Sequence, residues 1–387
     1  MKVKLSLSYK IHKNEKEWCT GMTELQQTKN AFKVIGKVTR IDKDGAYKEE
    51  VMQKGKRQGD TYRSLRFGVK TSETNEITVQ MFDYEPTEVF LWNSDKRQKD
   101  SSYKGEKIPF GQWEQQQNSL RDQGYAVLQT RVGLTYKEDG KLDSKGLPSF
   151  VASEEIYNNL DNGDSVIVEG EIRYSMYENR EGKEVEQKTY TIKKIHKIKD
   201  IDFEDEKFEE VSYFEQEMVF VDVDVDKREG KAFVTGRIID FMKNYHDTQM
   251  VVNFTNEDGT VDAGMEKLAT TLDKKIKFGD VIKVFGDTVN RVVVKEEEDD
   301  SEESNPFADF GGKSKPKHAE RFAVRTYVSE MSIHGVDGWT PAVYKEEDFV
   351  KEEFAKDETA NNPFADMGGN GKPNPFASEV TEDDLPF

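Results

Sequence analysis

IYNNLDNGDSVIVEGEI, residues 156–172, and LATTLDKKIKFGDVIKVFGDT, residues 268–288, follow one plan: a short helical stretch, a Gly-Asp turn, then a strand with alternating apolar residues. Two such stretches make the chain read as two distant copies of one unit. Outward from them, AFKVIGKVTRI (31–41) and AFVTGRIIDF (232–241) each read as a twisted strand with a central glycine and stand as the opening strands of the two copies. KTYTIKKIHKI (188–198) and RFAVRTYVSEMSI (321–333) close them. In the first copy, TYRSLRFGVK (61–70) and NEITVQMFDY (75–84) add two strands by their period-two alternation. In the second, a third strand ahead of the helix is not legible.

Three strands, a helix and two strands is the order of a five-stranded Greek-key barrel of the OB type, in which the helix plugs the barrel between strands three and four. The expected fold is therefore mainly β, with two OB-fold-like Greek-key barrels in tandem and a disordered acidic C-terminal tail. The expected organisation is an N-terminal extension (1–30) and an OB-like domain (31–200) with an insertion at 85–150. A second OB-like domain (201–340) with an acidic loop at 295–317 follows, then the tail (341–387). Seven acids within 296–303 repel one another in any compact form, which makes that loop a disordered or loosely held one.

Composition narrows the function classes. Of 387 residues, 35% are apolar and 34% charged, too polar for every segment to fold. The net charge of −19 is concentrated late: the region 31–200 is neutral, 201–295 carries −8 and 296–387 carries −14. MKVKLSLSYKIHKNEKEW lacks the apolar run of a signal peptide, and no run approaches a membrane span. The expectation is a soluble cytoplasmic protein with no membrane partner. One cysteine, Cys19, and five scattered histidines offer no zinc spacing. FADFGGKS has Phe307 where a phosphate loop needs its first glycine, and DVDVDKREGKAF has Lys227 and Phe233 where a calcium loop needs glycine and glutamate. An edge strand with acids on its outer face is the better reading of the latter. Neither a nucleophile elbow nor a recognisable carboxylate pair is present, so no enzyme, metal or cofactor is expected.

The first copy does offer a ligand surface. Leu65, Phe67 and Val69 share one side of their strand and Tyr62, Arg66 and Lys70 the other; Ile77, Val79 and Met81 oppose Phe82 and Tyr84 in the next. Rings beside cations suit single-stranded nucleic acid, which needs flat faces for unpaired bases and positive charge for phosphates. The candidate contacts are Tyr62, Arg63, Arg66, Lys70, Phe82 and Tyr84. The 42–60 loop adds Tyr47, Lys54, Lys56 and Arg57, and the insertion adds Trp92, Lys96, Arg97, Tyr103 and Lys104. The neutral charge of this region counts against the reading, since nucleic-acid-binding domains are usually basic.

The chain ends TEDDLPF (381–387), a tip that presents a ring and a free carboxylate on one residue, next to acids drawn to any basic surface. Here the sequence resembles the bacterial and phage single-stranded-DNA-binding proteins, whose OB domain is followed by a disordered tail ending in an acidic run and an apolar-Pro-Phe tip. The resemblance implies recruitment of replication, recombination and repair proteins through Asp383, Asp384, Leu385, Pro386 and Phe387. Leu385 stands where that family commonly has isoleucine. Family members usually carry one OB domain per chain and form tetramers, whereas two are expected here, which leaves homo-oligomerisation open. NPFADFGG (305–312), NPFADMGG (362–369) and NPFASEV (374–380) repeat an Asn-Pro-Phe element. Phe307, Phe364 and Phe376 are read as further partner-docking points that raise effective concentration, or else as stickers that hold neighbouring proteins together along a strand, the partner-binding role being favoured. The expected function is a single-stranded-DNA-binding protein that coats unwound DNA and recruits partners. The alternative is an interaction adaptor whose OB-like domains bind no nucleic acid, for which the acidic second copy speaks.

Overall fold

Burial alternates along Asn30–Thr39 (β1), with Phe32, Val34 and Val38 inside, as a strand with one buried face requires. The computed structural model describes residues 23–178, 182, 184–256, 259–295 and 324–349. Outside them lie the expected extension up to residue 22, the acidic loop from 296 to 317 and the tail from 350, with Phe307, Phe364, Phe376, Asp383, Asp384, Leu385, Pro386 and Phe387.

After β1, Tyr47–Val51 (β2) and Thr61–Lys70 (β3) form a hairpin, and β3 pairs in turn with Glu76–Tyr84 (β4). The insertion follows: Glu88–Asn93 (β5), Ser94–Lys99 (α1), Glu106–Pro109 (β6), Phe110–Asp122 (α2), Tyr125–Ala126 (β7), Thr130–Gly133 (β8) and Lys145–Leu147 (β9). Its Val89, Leu91, Phe110 and Trp113 join the barrel core, and Phe110 meets Phe150 edge-on at 6.2 Å. Ser149–Asn159 (α3) buries Ala152 and Ile156, one helical turn apart. Ser165–Glu178 (β10) and Glu184–Lys197 (β11) complete the unit. The circuit closes as β1–β3–β4–β11–β10–β1, with β4 and β11 parallel and the other pairs antiparallel.

The second unit repeats this circuit. Val211–Asp226 (β12) pairs with Lys231–Ile239 (β13), which pairs with Tyr245–Asn253 (β14). Ala263–Lys275 (α4), capped by the Asp262 carboxylate, precedes Val281–Lys295 (β15) and Val324–Thr340 (β16). β14 lies parallel to β16, and β15 closes on both β16 and β12. The chain is thus mainly β, built of two OB-type barrels.

Both Gly-Asp turns have one local chemistry. Asp164 Oδ2 accepts from the Asp161 amide at 3.0 Å, and Asp280 Oδ2 accepts from the Lys277 amide at 3.1 Å. Gly163 and Gly279 hold φ of 91° and 86°, the left-handed conformation glycine takes at least cost.

The correspondence of opening strands needs correction. AFVTGRIIDF lies in β13, the second strand of its barrel, and the first strand is β12. Buried Ser212 and Gln216 interrupt the inward row of β12, and half-buried His246 with buried Thr248 does so in β14, the strand that was not legible. At Gln216 and His246 part of the other barrel arrives. Tyr174 of β10 donates its hydroxyl hydrogen to Gln216 Oε1 at 2.9 Å and packs its ring 5.4 Å from His246. The barrels also share a sheet, β1 pairing antiparallel with β12 from Asn30↔Gln216 to Ile35↔Val211. Buried Asn75 adds a further tie, donating to Glu210 at 2.8 Å and to the Thr288 carbonyl at 3.1 Å.

Candidate nucleic-acid interface

The pairing of β3 with β4 sets Tyr62 opposite Tyr84 and Ser64 opposite Phe82 on the outer side of the sheet, while Leu65, Phe67, Ile77, Val79 and Met81 fill the barrel. The three rings touch: Tyr62 and Phe82 lie 5.1 Å apart, Phe82 and Tyr84 meet perpendicular at 5.2 Å, and Tyr62 meets Tyr84 at 6.3 Å. Tyr62 is the floor, 3% exposed, with its hydroxyl donating to Glu50 at 2.7 Å. Burial and that carboxylate push its phenol pKa up. Phe82 and Tyr84 are half-buried.

Over Tyr84 stands the guanidinium of Arg57, 3.8 Å from the ring centroid and paired with Asp60 at 2.8 Å. Arg57 belongs to the exposed β2–β3 tip, with Lys54 and Lys56 beside it. Two backbone bonds hold that tip, from the Met52 amide to the Asp60 carbonyl and from the Gly59 amide to the Met52 carbonyl, both 2.9 Å.

Strands distant in sequence bring two further cations. β11 runs beside β4 with Thr191 level with Gln80, and β10 sets Arg173 opposite Thr189. Burial raises the pKa of Asp83, while the charges of Arg173, Arg57 and Lys193 pull it down. Arg173 is exposed, and Lys193 pairs with Glu171 at 3.4 Å. Neither was singled out from the sequence. Parity within 165–178 and 188–198 marks them as outward, and the register sets Thr191, two residues before Lys193, level with Gln80, two before Phe82.

The remaining candidates divide. Arg66 lies on the outer row opposite Gln80, beyond Phe82. Lys70 lies at the far end of β3, roughly 26 Å along the strand from Tyr62 at about 3.3 Å per residue, and pairs with Glu73 at 2.8 Å. Arg63 has the opposite parity from Tyr62; it pairs with Glu49 and Glu154 and lies 4.1 Å over the Phe150 ring at the helix end of the barrel. Trp92 and Arg97 belong to a second cluster in the insertion. There Trp92 packs 5.7 Å from Tyr103, Arg97 donates to the carbonyls of Ser101 and Tyr103, and Lys96 lies 4.8 Å over Tyr125.

On the matching face of the second barrel the cations are held by acids. Arg237 makes a two-pronged pair with Asp247 at 2.6 and 2.8 Å and lies 4.5 Å over Phe349, while Lys231 pairs with Glu330 at 3.1 Å. Residues 341–349 cover that end, with Tyr344 and Phe349 packed on Val219 and Ile239. Among the described residues no cluster of three or more His, Cys, Asp or Glu could hold a metal ion, and no helix is long and apolar enough to cross a membrane.

No curated protein matches the sequence. Among solved structures, a deletion mutant of the single-stranded DNA binding protein from Thermus aquaticus aligns over 69% of this chain and 89% of its own, at 12% identity and a TM-score of 0.30, a superposition too loose to speak for the site. The YorF family model matches residues 111–362, well over half of the chain, and this protein belongs to that family.

Proposed function

We propose that this protein binds single-stranded DNA on the outer face of its first barrel. It coats and protects unwound strands during bacterial or phage replication, recombination or repair in the cytoplasm, without enzymatic activity or a cofactor. The observation that carries this reading is the cluster of Phe82 and Tyr84 with the Arg57 guanidinium over the Tyr84 ring, on a sheet whose next strands turn Lys193 and Arg173 outward: rings for bases, guanidinium and ammonium groups for phosphates. The second barrel supports the first and carries few DNA contacts, since Tyr344 and Phe349 cover its end and Arg237 is held against Phe349 by Asp247. The tip from Asp383 to Phe387 recruits partner proteins, a reading that rests on its sequence alone. Titrating the full chain with labelled oligo-dT and with duplex of equal length tests the binding reading. Tight, salt-sensitive binding to the single strand alone is expected; equal binding to both, or to neither, refutes it. Phe387→Ala tests the tip: lysate proteins retained by wild type are expected to be lost, and an unchanged set removes that role.

A further inference from the structure

The insertion extends the sheet that carries the aromatic face. β4 pairs with β11 at Tyr190 and Thr191, and where that pairing stops β8 takes its place, Arg131 level with Lys194 and Val132 with Ile195. Beside this junction is an open groove of about 390 Å³, lined by Val127, Leu128, Gln129, Arg131, Glu171 and Lys193. Lys193 belongs to both places, lining the groove and acting on Asp83 at the end of β4. Leu128 is 60% exposed, and the Arg131 guanidinium, also exposed, has no hydrogen-bond or ion-pair partner among the described residues. An apolar wall beside the exposed Arg131 guanidinium, with Lys193 paired to Glu171 at its edge, matches a base and its phosphate, and the groove lies beside the strand that follows β4 in the sheet.

We propose that the groove is a further subsite for the same strand, in which one nucleotide past the Phe82–Tyr84 rings lays its base on Leu128 and its phosphate against Arg131 and Lys193. The proposal rests on the single-strand reading above. It makes the insertion part of the binding site and lengthens the footprint beyond the barrel.

Oligo-dT of graded length, from roughly 4 to roughly 16 nucleotides, tests it with full-length wild type, Arg131→Ala, Leu128→Ala and Tyr84→Ala. For Arg131→Ala, affinity for the longer oligonucleotides should fall about fivefold and the salt slope by about 0.7, the share of one phosphate contact on a single strand. Leu128→Ala should weaken the same oligonucleotides without altering the slope, and both variants should bind the shortest one as wild type does. Tyr84→Ala should weaken every length. Arg131→Ala and Leu128→Ala matching wild type at all lengths, with Tyr84→Ala impaired, overturns the subsite and leaves the stacking face standing. A loss that includes the shortest oligonucleotide also overturns it, because Arg131 would then belong to the ring cluster. Wild type that binds no single strand removes both readings. A synthetic peptide of residues 382–387 that loses binding to Arg131→Ala, while oligo-dT does not, gives the groove to a peptide instead.

Discussion

Tyr84 has the Arg57 guanidinium over its ring and Phe82 at its edge, so a base arriving there meets a rigid platform rather than a loose side chain. Replacing Tyr84 by alanine should cost about 1 to 3 kcal/mol of oligo-dT binding with an unchanged salt slope, because stacking releases no counterions. Arg173→Ala should instead lower the slope by about 0.7. Titrations at several salt concentrations separate the two effects, and identical behaviour of the two variants would break the assignment of roles. His246 gives a different residue-scale test. Burial holds its pKa below the ordinary 6.5 against the pull of Glu186, Asp240 and Asp247, and its Nε2 has no hydrogen-bond partner among the described residues. The unfolded chain therefore binds the proton first as pH drops, and stability fully present above pH 6.5 is lost progressively below it. Burial also lowers the pKa of His196, which acts in the same direction. Urea unfolding at roughly pH 7.5 and pH 5.5 should show a smaller loss in His246→Gln than in wild type. Equal losses would mean that His246 titrates normally in the fold.

Among the elements, the glycines of β1 and β13 look alike in sequence and differ in what surrounds them. A Cβ on Gly36 would lie 2.1 Å from the Lys70 carbonyl oxygen, a backbone atom fixed by the sheet. On Gly236 it would lie 2.0 Å from the sulfur and 2.8 Å from the Cγ of Met218, a side chain fully buried in the core. Gly36→Ala and Gly236→Ala should each destabilise by about 1 to 3 kcal/mol, as denaturant titration would show, the first through the backbone and the second through repacking of Met218. The helices and Gly-Asp turns were legible because their causes are local: Asp164 and Asp280 each bond an amide three residues earlier. β12 and β14 were not placed correctly because Gln216, His246 and Thr248 break the inward apolar row that sequence reading depends on.

In the whole molecule, the two barrels behave as one mechanical unit. They share the β1–β12 ladder, Tyr174 crosses from one to reach Gln216 in the other, and Tyr190 reaches Thr288 at 3.3 Å. A single cooperative transition is expected, with far-ultraviolet circular dichroism and tryptophan fluorescence melting together. Tyr174→Phe leaves the fully buried Gln216 short of its donor and should lower the stability of the whole by about 1 to 3 kcal/mol. Two separate transitions, only one of them moved by the substitution, would show that the barrels unfold independently.

The mainly β fold, the duplicated helix–turn–strand units and the ring-bearing face of β3 and β4 are written in the amino-acid order. All of these follow from alternation, turn chemistry and neighbours within one hairpin. Which strands close each barrel, that the barrels share a sheet, and that β11 and β8 extend the sheet of β4 emerged with the folded chain. The reason is distance along the chain. Strand pairing between residues a hundred positions apart leaves no periodic mark on either segment, and a polar residue turned inward reads as a surface residue until its partner from the other barrel is in place.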